Sequence, residues 1–81
     1  MTKDLARDIA AEVRAEMSKQ MKPQRELVDL LGLSQAQVSE RVRGDVEWRI
    51  SELVKVADLL AVPISHFLPA PVAAKAVSGA A

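Results

Sequence analysis

Apolar residues recur along the chain at helical spacing, in stretches that glycine or proline separates. The first stretch carries one large apolar side chain every four residues: Leu5, Ile9, Val13 and Met17. A single apolar stripe at that interval is typical of a helix that packs one side against a core. The complete pattern predicts five helices, over residues 3–20, 23–31, 35–43, 49–61 and 63–68. The fold class is therefore predicted to be all-α.

Proline, glycine and serine mark the ends of these helices. The Lys22-Pro23 pair ends the first helix, because a residue before proline is kept out of the α conformation. Gly32 and Gly44 end the second and third, since glycine accepts the positive φ that often follows a helix. Ser34 is expected to cap the third helix through its hydroxyl. The chain is thus predicted to hold one folded domain and a flexible tail, over residues 1–69 and 70–81.

Composition narrows the classes of function. Hydrophobic residues make up 49% of the 81 residues and charged residues 27%, which is typical of a soluble globular protein. There is no cysteine, so thiolate metal sites are excluded. There is one histidine, so few side chains are suited to acid–base catalysis. We expect no enzyme activity, metal or cofactor. No apolar run approaches the roughly 20 residues of a membrane span, and no secretory signal is visible, so we expect a cytoplasmic protein.

The distribution of charge is more informative than its sum. The net charge is zero, which by itself gives nucleic-acid binding no support. Residues 17–43, however, carry five basic and three acidic side chains. They include the second and third predicted helices, which a glycine-containing turn joins, and the third is largely polar. This is the layout of a helix-turn-helix, in which the first helix and the turn hold the second for entry into the major groove.

Several motifs extend this layout beyond a lone turn. They are 24-QREL-27, 31-LGLSQ-35, 38-VS-39, 43-RG-44 and 53-LVKVA-57, continued by 60-LAVPI-64. Together they resemble the lambda-repressor-like domains of the Cro and phage-repressor type, in the xenobiotic-response-element family. The resemblance covers residues 9–68 and implies a compact five-helix domain with a helix-turn-helix. It also implies a sequence-specific DNA-binding transcriptional regulator, Cro-like or a small repressor, from a phage, prophage or bacterium.

The resemblance implies base-edge contacts by four residues of the third helix: Gln35, Ala36, Ser39 and Glu40. Their chemistry agrees, since glutamine can pair with adenine, alanine can touch a thymine methyl and glutamate can accept from cytosine. Backbone phosphates are expected to meet Gln24, Arg25, Lys22, Gln37 and Arg43. For Glu40, an ion pair with a nearby arginine is as favoured as contact with a base. For Arg43, a surface ion pair is less favoured than contact with a phosphate.

Two residues stand apart from this set. Arg41 occupies a position where the family usually has a buried aliphatic residue, so it either disturbs the packing or extends toward phosphate. Trp48 is expected to fill the core or an interface, with stacking on DNA as the lesser alternative.

The expected partner is double-stranded operator DNA, bound by a homodimer at least on DNA, since such regulators read two half-sites. The candidate dimer interface lies beyond the fourth helix and comprises Ile64, Phe67, Leu68 and Val72. An equal alternative is that these residues close the monomer's own core. No membrane and no small-molecule ligand is evident. One alternative function is an antitoxin whose tail, residues 69–81, binds a toxin. Another is a helical protein-interaction module that has lost DNA binding. The last five residues resemble a degradation tag, with a passive end as the alternative.

Overall fold

The computed structural model describes residues 3–69, and within them the chain forms four α-helices and no strand. The elements are α1 (Lys3–Lys19), α2 (Arg25–Leu31), α3 (Gln35–Arg43), α4 (Ile50–Leu60) and a 3-10 turn (Ile64–Phe67). The predicted all-α class is confirmed. The predicted flexible tail, residues 70–81, lies outside the described residues.

The segment predicted as a fifth helix forms only the 3-10 turn over Ile64–Phe67. Pro63 precedes this turn in an extended conformation. Leu68 follows it with φ −95° and ψ 142°, as proline requires of the residue before it. The two prolines that flank the segment, Pro63 and Pro69, therefore leave room for a single turn and no more.

The core lies where α1 crosses the other helices. Three members of the predicted stripe on α1 are buried, and Leu5, nearest the start, is half-buried. The buried cluster comprises Ile9, Val13, Met17, Leu27, Val38, Val42, Trp48, Leu53, Val56, Ala57, Leu60 and Phe67. Each large side chain in it contributes about 1.5–3 kcal/mol by leaving water. Burial of Trp48, at 2% exposure, confirms its expected place in the core.

All four helices end through a residue in the left-handed region, but only two of these residues are glycines. Gly32 follows α2 with φ 66°, and Gly44 follows α3 with φ 84°. Met21 and Ala61 adopt φ 57° after α1 and α4, where a side chain costs roughly 1–2 kcal/mol. Backbone hydrogen bonds hold both turns, including those from Lys22 N–H and Val62 N–H to carbonyls five residues earlier.

Gly44 also sets how closely α3 approaches α1. A Cβ at this position would lie 2.8 Å from the Cα of Arg7, whereas a Cβ at Gly32 would meet open space. The end of α3 thus rests directly on the backbone of α1. No helix among residues 3–69 is both long and apolar enough to cross a membrane.

Candidate nucleic-acid interface

The first turn of α3 is closed by its own residues. Ser34 Oγ accepts a hydrogen bond from Gln37 N–H at 3.1 Å, and Ser34 N–H donates to Gln37 Oε1 at 2.9 Å. This reciprocal pair satisfies two backbone N–H groups that a helix start otherwise leaves without partners. The predicted cap at Ser34 is therefore confirmed. Gln35 and Ala36, between the two partners, remain exposed to solvent.

Three of the predicted contact residues meet in one hydrogen-bond network. Gln24 lies immediately before α2, and its Oε1 accepts from Gln35 Nε2 at 3.0 Å and from Ser39 Oγ at 3.2 Å. Gln35 Nε2 also donates to Ser39 Oγ at 3.3 Å. The sequence placed these residues on the same surface, but it did not predict that they contact one another. The network directs the Gln35 amide nitrogen toward Gln24 and Ser39.

The other two base-contact candidates differ in exposure. Ala36 is exposed, as contact with a thymine methyl requires. Glu40 is half-buried, and its carboxylate makes no ion pair with any described residue. The alternative that paired Glu40 with Arg41, Arg43 or Arg25 is therefore not what the structure shows: Arg41 and Arg43 have other partners, and Arg25 makes no ion pair with Glu40. Its contact with a base remains a prediction.

The candidate phosphate contacts are held only loosely. Lys22 Nζ lies 3.8 Å from Glu26 Oε1, and Arg43 Nε lies 2.9 Å from Asp45 Oδ2 in an exposed pair. Exposed pairs of this kind stabilise a protein by about 0–1 kcal/mol, so a phosphate can displace them at little cost. Arg25 is exposed on α2. The side-chain oxygen of the fifth candidate, Gln37, serves the cap described above.

Arg41 points inward, which corrects the expectation that it reaches toward phosphate. Its Nε donates to Glu52 Oε1 at 3.0 Å, and both side chains are only 11% exposed. Its Nη1 donates to the carbonyl of Gln37 at 3.2 Å, and the same Glu52 oxygen accepts from Arg49 N–H at 2.9 Å. The charge is thus paired and hydrogen-bonded, as burial requires. This pair joins α3 to the start of α4, and the sequence pattern gave no sign of Glu52.

A second arginine, on α1, also contacts the last turn of α3. Arg14 of α1 donates through Nη1 to the carbonyl oxygen of Val42, in the last turn of α3. A cation at this end of a helix also meets the negative end of its dipole. The sequence gives no sign of this role for Arg14, because the two residues are 28 positions apart and no local pattern connects them.

The end of α1 is tied to the C-terminal part of the fold by a buried carboxylate. Glu16 Oε2 accepts from Gln20 Nε2 at 3.0 Å, and its Oε1 lies 2.9 Å from His66 Nε2. Gln20 Nε2 also donates to the carbonyl of Leu60 at 2.8 Å. The hydrogen bond from Gln20 lowers the pKa of Glu16 below its ordinary value against the opposing effect of desolvation, and the positive charge of Lys19 assists.

The monomer itself uses part of the predicted dimer surface. Phe67 is fully buried in the core, so its side chain is unavailable to a second subunit and the alternative of core closure applies to it. Ile64 and Leu68 are half-buried against the same cluster, and their contact with a second subunit remains a prediction. Val72 lies outside the described residues.

The chain matches a known family of protein domains. A family model described as the BetR domain matches residues 5–79 of the chain. The matched region includes α2, α3 and α4 in full and all but the first two residues of α1. Neither the curated proteins nor the solved structures gave a match.

Proposed function

The chain belongs to the BetR domain family, and we propose that it is a sequence-specific DNA-binding transcriptional regulator, Cro-like or a small repressor. In this proposal α2 and α3 form a helix-turn-helix, and α3 enters the major groove of operator DNA. The observation that carries the proposal is the hydrogen-bond network of Gln24, Gln35 and Ser39 on an otherwise solvent-facing surface.

The network prepares the Gln35 amide for adenine. The NH2 group has two hydrogens, one directed to Gln24 Oε1 and the other to Ser39 Oγ. On DNA, the second N–H donates to adenine N7 instead of Ser39 Oγ, while the first N–H continues to donate to Gln24 Oε1. The Oε1 atom of Gln35 then accepts from adenine N6, which completes the two-bond pairing of glutamine with adenine.

Ordering of the side chain before binding lowers the cost of that contact. A free glutamine side chain loses up to roughly 1.5–2 kcal/mol of rotamer freedom when it is fixed. Because Gln24 and Ser39 already restrict Gln35, part of that loss is incurred on folding rather than on binding. Lys22, Arg25 and Arg43 would then supply phosphate contacts that fix the position of α3 along the duplex.

The test is selection from a random duplex pool, followed by titration of the selected sequence between about 50 and 200 mM salt. We expect an enriched palindrome whose affinity falls steeply with salt, because two subunits would read two half-sites. Gln35→Ala and Ser39→Ala should weaken binding. The matched control is Ser51→Ala, which removes an exposed serine hydroxyl from α4 and should leave affinity unchanged.

One observation favours a second function, a protein-interaction module. The Glu40 carboxylate lies on the proposed DNA surface without an ion-pair partner among residues 3–69, and an acid there repels phosphate. Failure to enrich any sequence, together with weak binding that is indifferent to salt and to Gln35→Ala, would favour this function and reject the operator proposal.

A further inference from the structure

A surface groove of about 320 Å³ opens beside Gln24, between α1, the segment that follows it and the end of α3. Its floor is apolar and formed by Met17, Pro23 and Val42. Its rim holds two cations, Arg14 and Lys22, and no carboxylate lines it. The groove therefore combines an apolar surface with positive charge at its edge, which suits an anion that carries an apolar body.

Both cations are available to a ligand. The Nη1 atom of Arg14 donates to the Val42 carbonyl, which holds the guanidinium at the groove, and its other N–H groups have no partner among residues 3–69. The ammonium of Lys22 has only the 3.8 Å contact with Glu26. Such a contact is weak enough for a phosphate to displace it.

We infer that this groove binds one backbone phosphate of duplex DNA, with Arg14 and Lys22 on the phosphate and the neighbouring deoxyribose against the apolar floor. The inference rests on the proposed function, because Gln24 lines the groove and also accepts the hydrogen bond from Gln35. A strand bound here is therefore continuous with the base-reading surface. A nucleic-acid strand presents a charged phosphate and a less polar sugar in succession, which matches the rim and the floor.

Arg14 would then have two roles in one position. It holds the last turn of α3 through Val42 and contacts the strand that flanks α3 in the groove. This couples the placement of α3 to the phosphate contact, so that loss of Arg14 affects both. Lys22 makes no hydrogen bond or ion pair to α3 among residues 3–69, where its ion pair is with Glu26 on α2, so its replacement tests the phosphate contact separately from the placement of α3.

The test compares salt dependence of operator binding in three variants: Arg14→Gln, Lys22→Gln and the control Lys55→Gln. The control removes an exposed cation from α4, away from the groove. Each lost phosphate contact lowers the steepness of log K against log salt by about 0.9, so a dimer that weakens one contact in each subunit should lose up to about 1.8. We expect that reduction for the first two variants, with the selected sequence unchanged for Lys22→Gln, and no reduction for Lys55→Gln. Thermal unfolding establishes that each variant is folded.

A second measurement locates the contact on the DNA. Neutral methylphosphonates are placed at single phosphates along the operator. We expect one position to weaken the wild-type protein and to have little further effect on Lys22→Gln or Arg14→Gln. A slope and a methylphosphonate profile that are the same in wild type and in both variants would overturn the inference.

The outcomes separate this inference from the proposed function. If wild type binds a specific sequence with a steep salt dependence and both variants have the same slope as wild type, the groove contact is rejected and the proposed regulatory function stands. Absence of any selected operator rejects both. If inorganic phosphate at millimolar concentration raises the melting temperature of wild type but not of Arg14→Gln, and the slopes are unchanged, the groove binds a free anion and the DNA contact is rejected.

Discussion

Two arginines at the end of α3, only two residues apart, have opposite environments. Arg41 is buried against Glu52, and each of these side chains is 11% exposed. Arg43 pairs with Asp45 in solvent, with side-chain exposures of 60% and 53%. The same contrast runs along the helix, since Val38 and Val42 are buried while Gln35 and Ala36 are exposed. Residues on the inner face of α3 stabilise the fold, whereas those on the outer face are exposed to a binding partner. Stability and binding can therefore be altered by separate substitutions.

The largest effect is expected from breaking the buried pair. Glu52→Ala leaves the Arg41 charge buried without its partner and should lower the free energy of unfolding by about 3–5 kcal/mol. Asp45→Ala, the matched change on the outer face, should cost less than about 1 kcal/mol. Urea denaturation of the two variants and wild type measures the difference. Equal losses would contradict the assignment of inner and outer faces.

A double variant sharpens this result. Arg41→Met combined with Glu52→Leu removes both charges and keeps apolar volume, so it should be more stable than Glu52→Ala alone. A double variant no more stable than Glu52→Ala would show that the unpaired Arg41 charge is not what destabilises the single variant, and one less stable than wild type would show that the pair contributes more than its burial costs. Asp45→Ala should have little effect on either background, because its side chain does not contact the buried pair.

Gly44 and Gly32 extend the contrast to the helix ends. Gly44→Ala places a Cβ 2.8 Å from the Arg7 backbone at φ 84° and should cost about 2–3 kcal/mol. Gly32→Ala meets no atom within 4 Å, so it bears only the strain of its φ, roughly 1 kcal/mol. Thermal unfolding should show the larger fall in melting temperature for Gly44→Ala. The reverse order would mean that α3 does not rest on α1 as described.

The cap of α3 should have a moderate effect. Ser34→Ala removes the acceptor of Gln37 N–H and should lower stability by about 1 kcal/mol. Ser34→Asp keeps an acceptor and should recover most of that loss. Urea denaturation of the two variants is the measurement, and equal destabilisation by both would show that the side-chain oxygen does not act as a cap.

The outer face should show the smallest change in stability and the largest change in binding. Gln35→Ala removes two exposed side-chain hydrogen bonds and should alter the free energy of unfolding by less than about 0.5 kcal/mol. Its operator affinity should fall by about 1–3 kcal/mol, the energy of a bidentate base contact. A comparable loss of stability and binding would place Gln35 among the structural residues instead.

Acid pH provides a further test on α1. Because the folded pKa of Glu16 is lowered, its ionised form stabilises the protein above its ordinary pKa, and that contribution disappears as the pH falls through the folded pKa. The Glu16→Gln variant should therefore lose less stability than wild type as the pH falls from about 5 through the folded pKa of Glu16. Unfolding measured across that interval for wild type and variant is the check, and parallel profiles would contradict the prediction.

Local patterns in the sequence predicted the parts of this fold that depend on neighbours along the chain. The stripe on α1, the cap at Ser34 and the glycine ends of α2 and α3 were all evident from spacing. The left-handed turns at Met21 and Ala61 carry no glycine to mark them. The bonds of Arg41 with Glu52 and of Gln24 with Gln35 join residues 11 positions apart in different parts of the fold, and only tertiary packing brings them together.

The closed cap at the start of α3 has a consequence for divergence among related proteins. Ser34 and Gln37 satisfy the helix start, while the exposed side chains between them contribute little to folding. Substitutions at positions 35 and 36 can therefore accumulate without a loss of stability that selection would remove. A duplicated copy of such a gene could acquire a different target sequence in a few single steps, each encoding a folded protein.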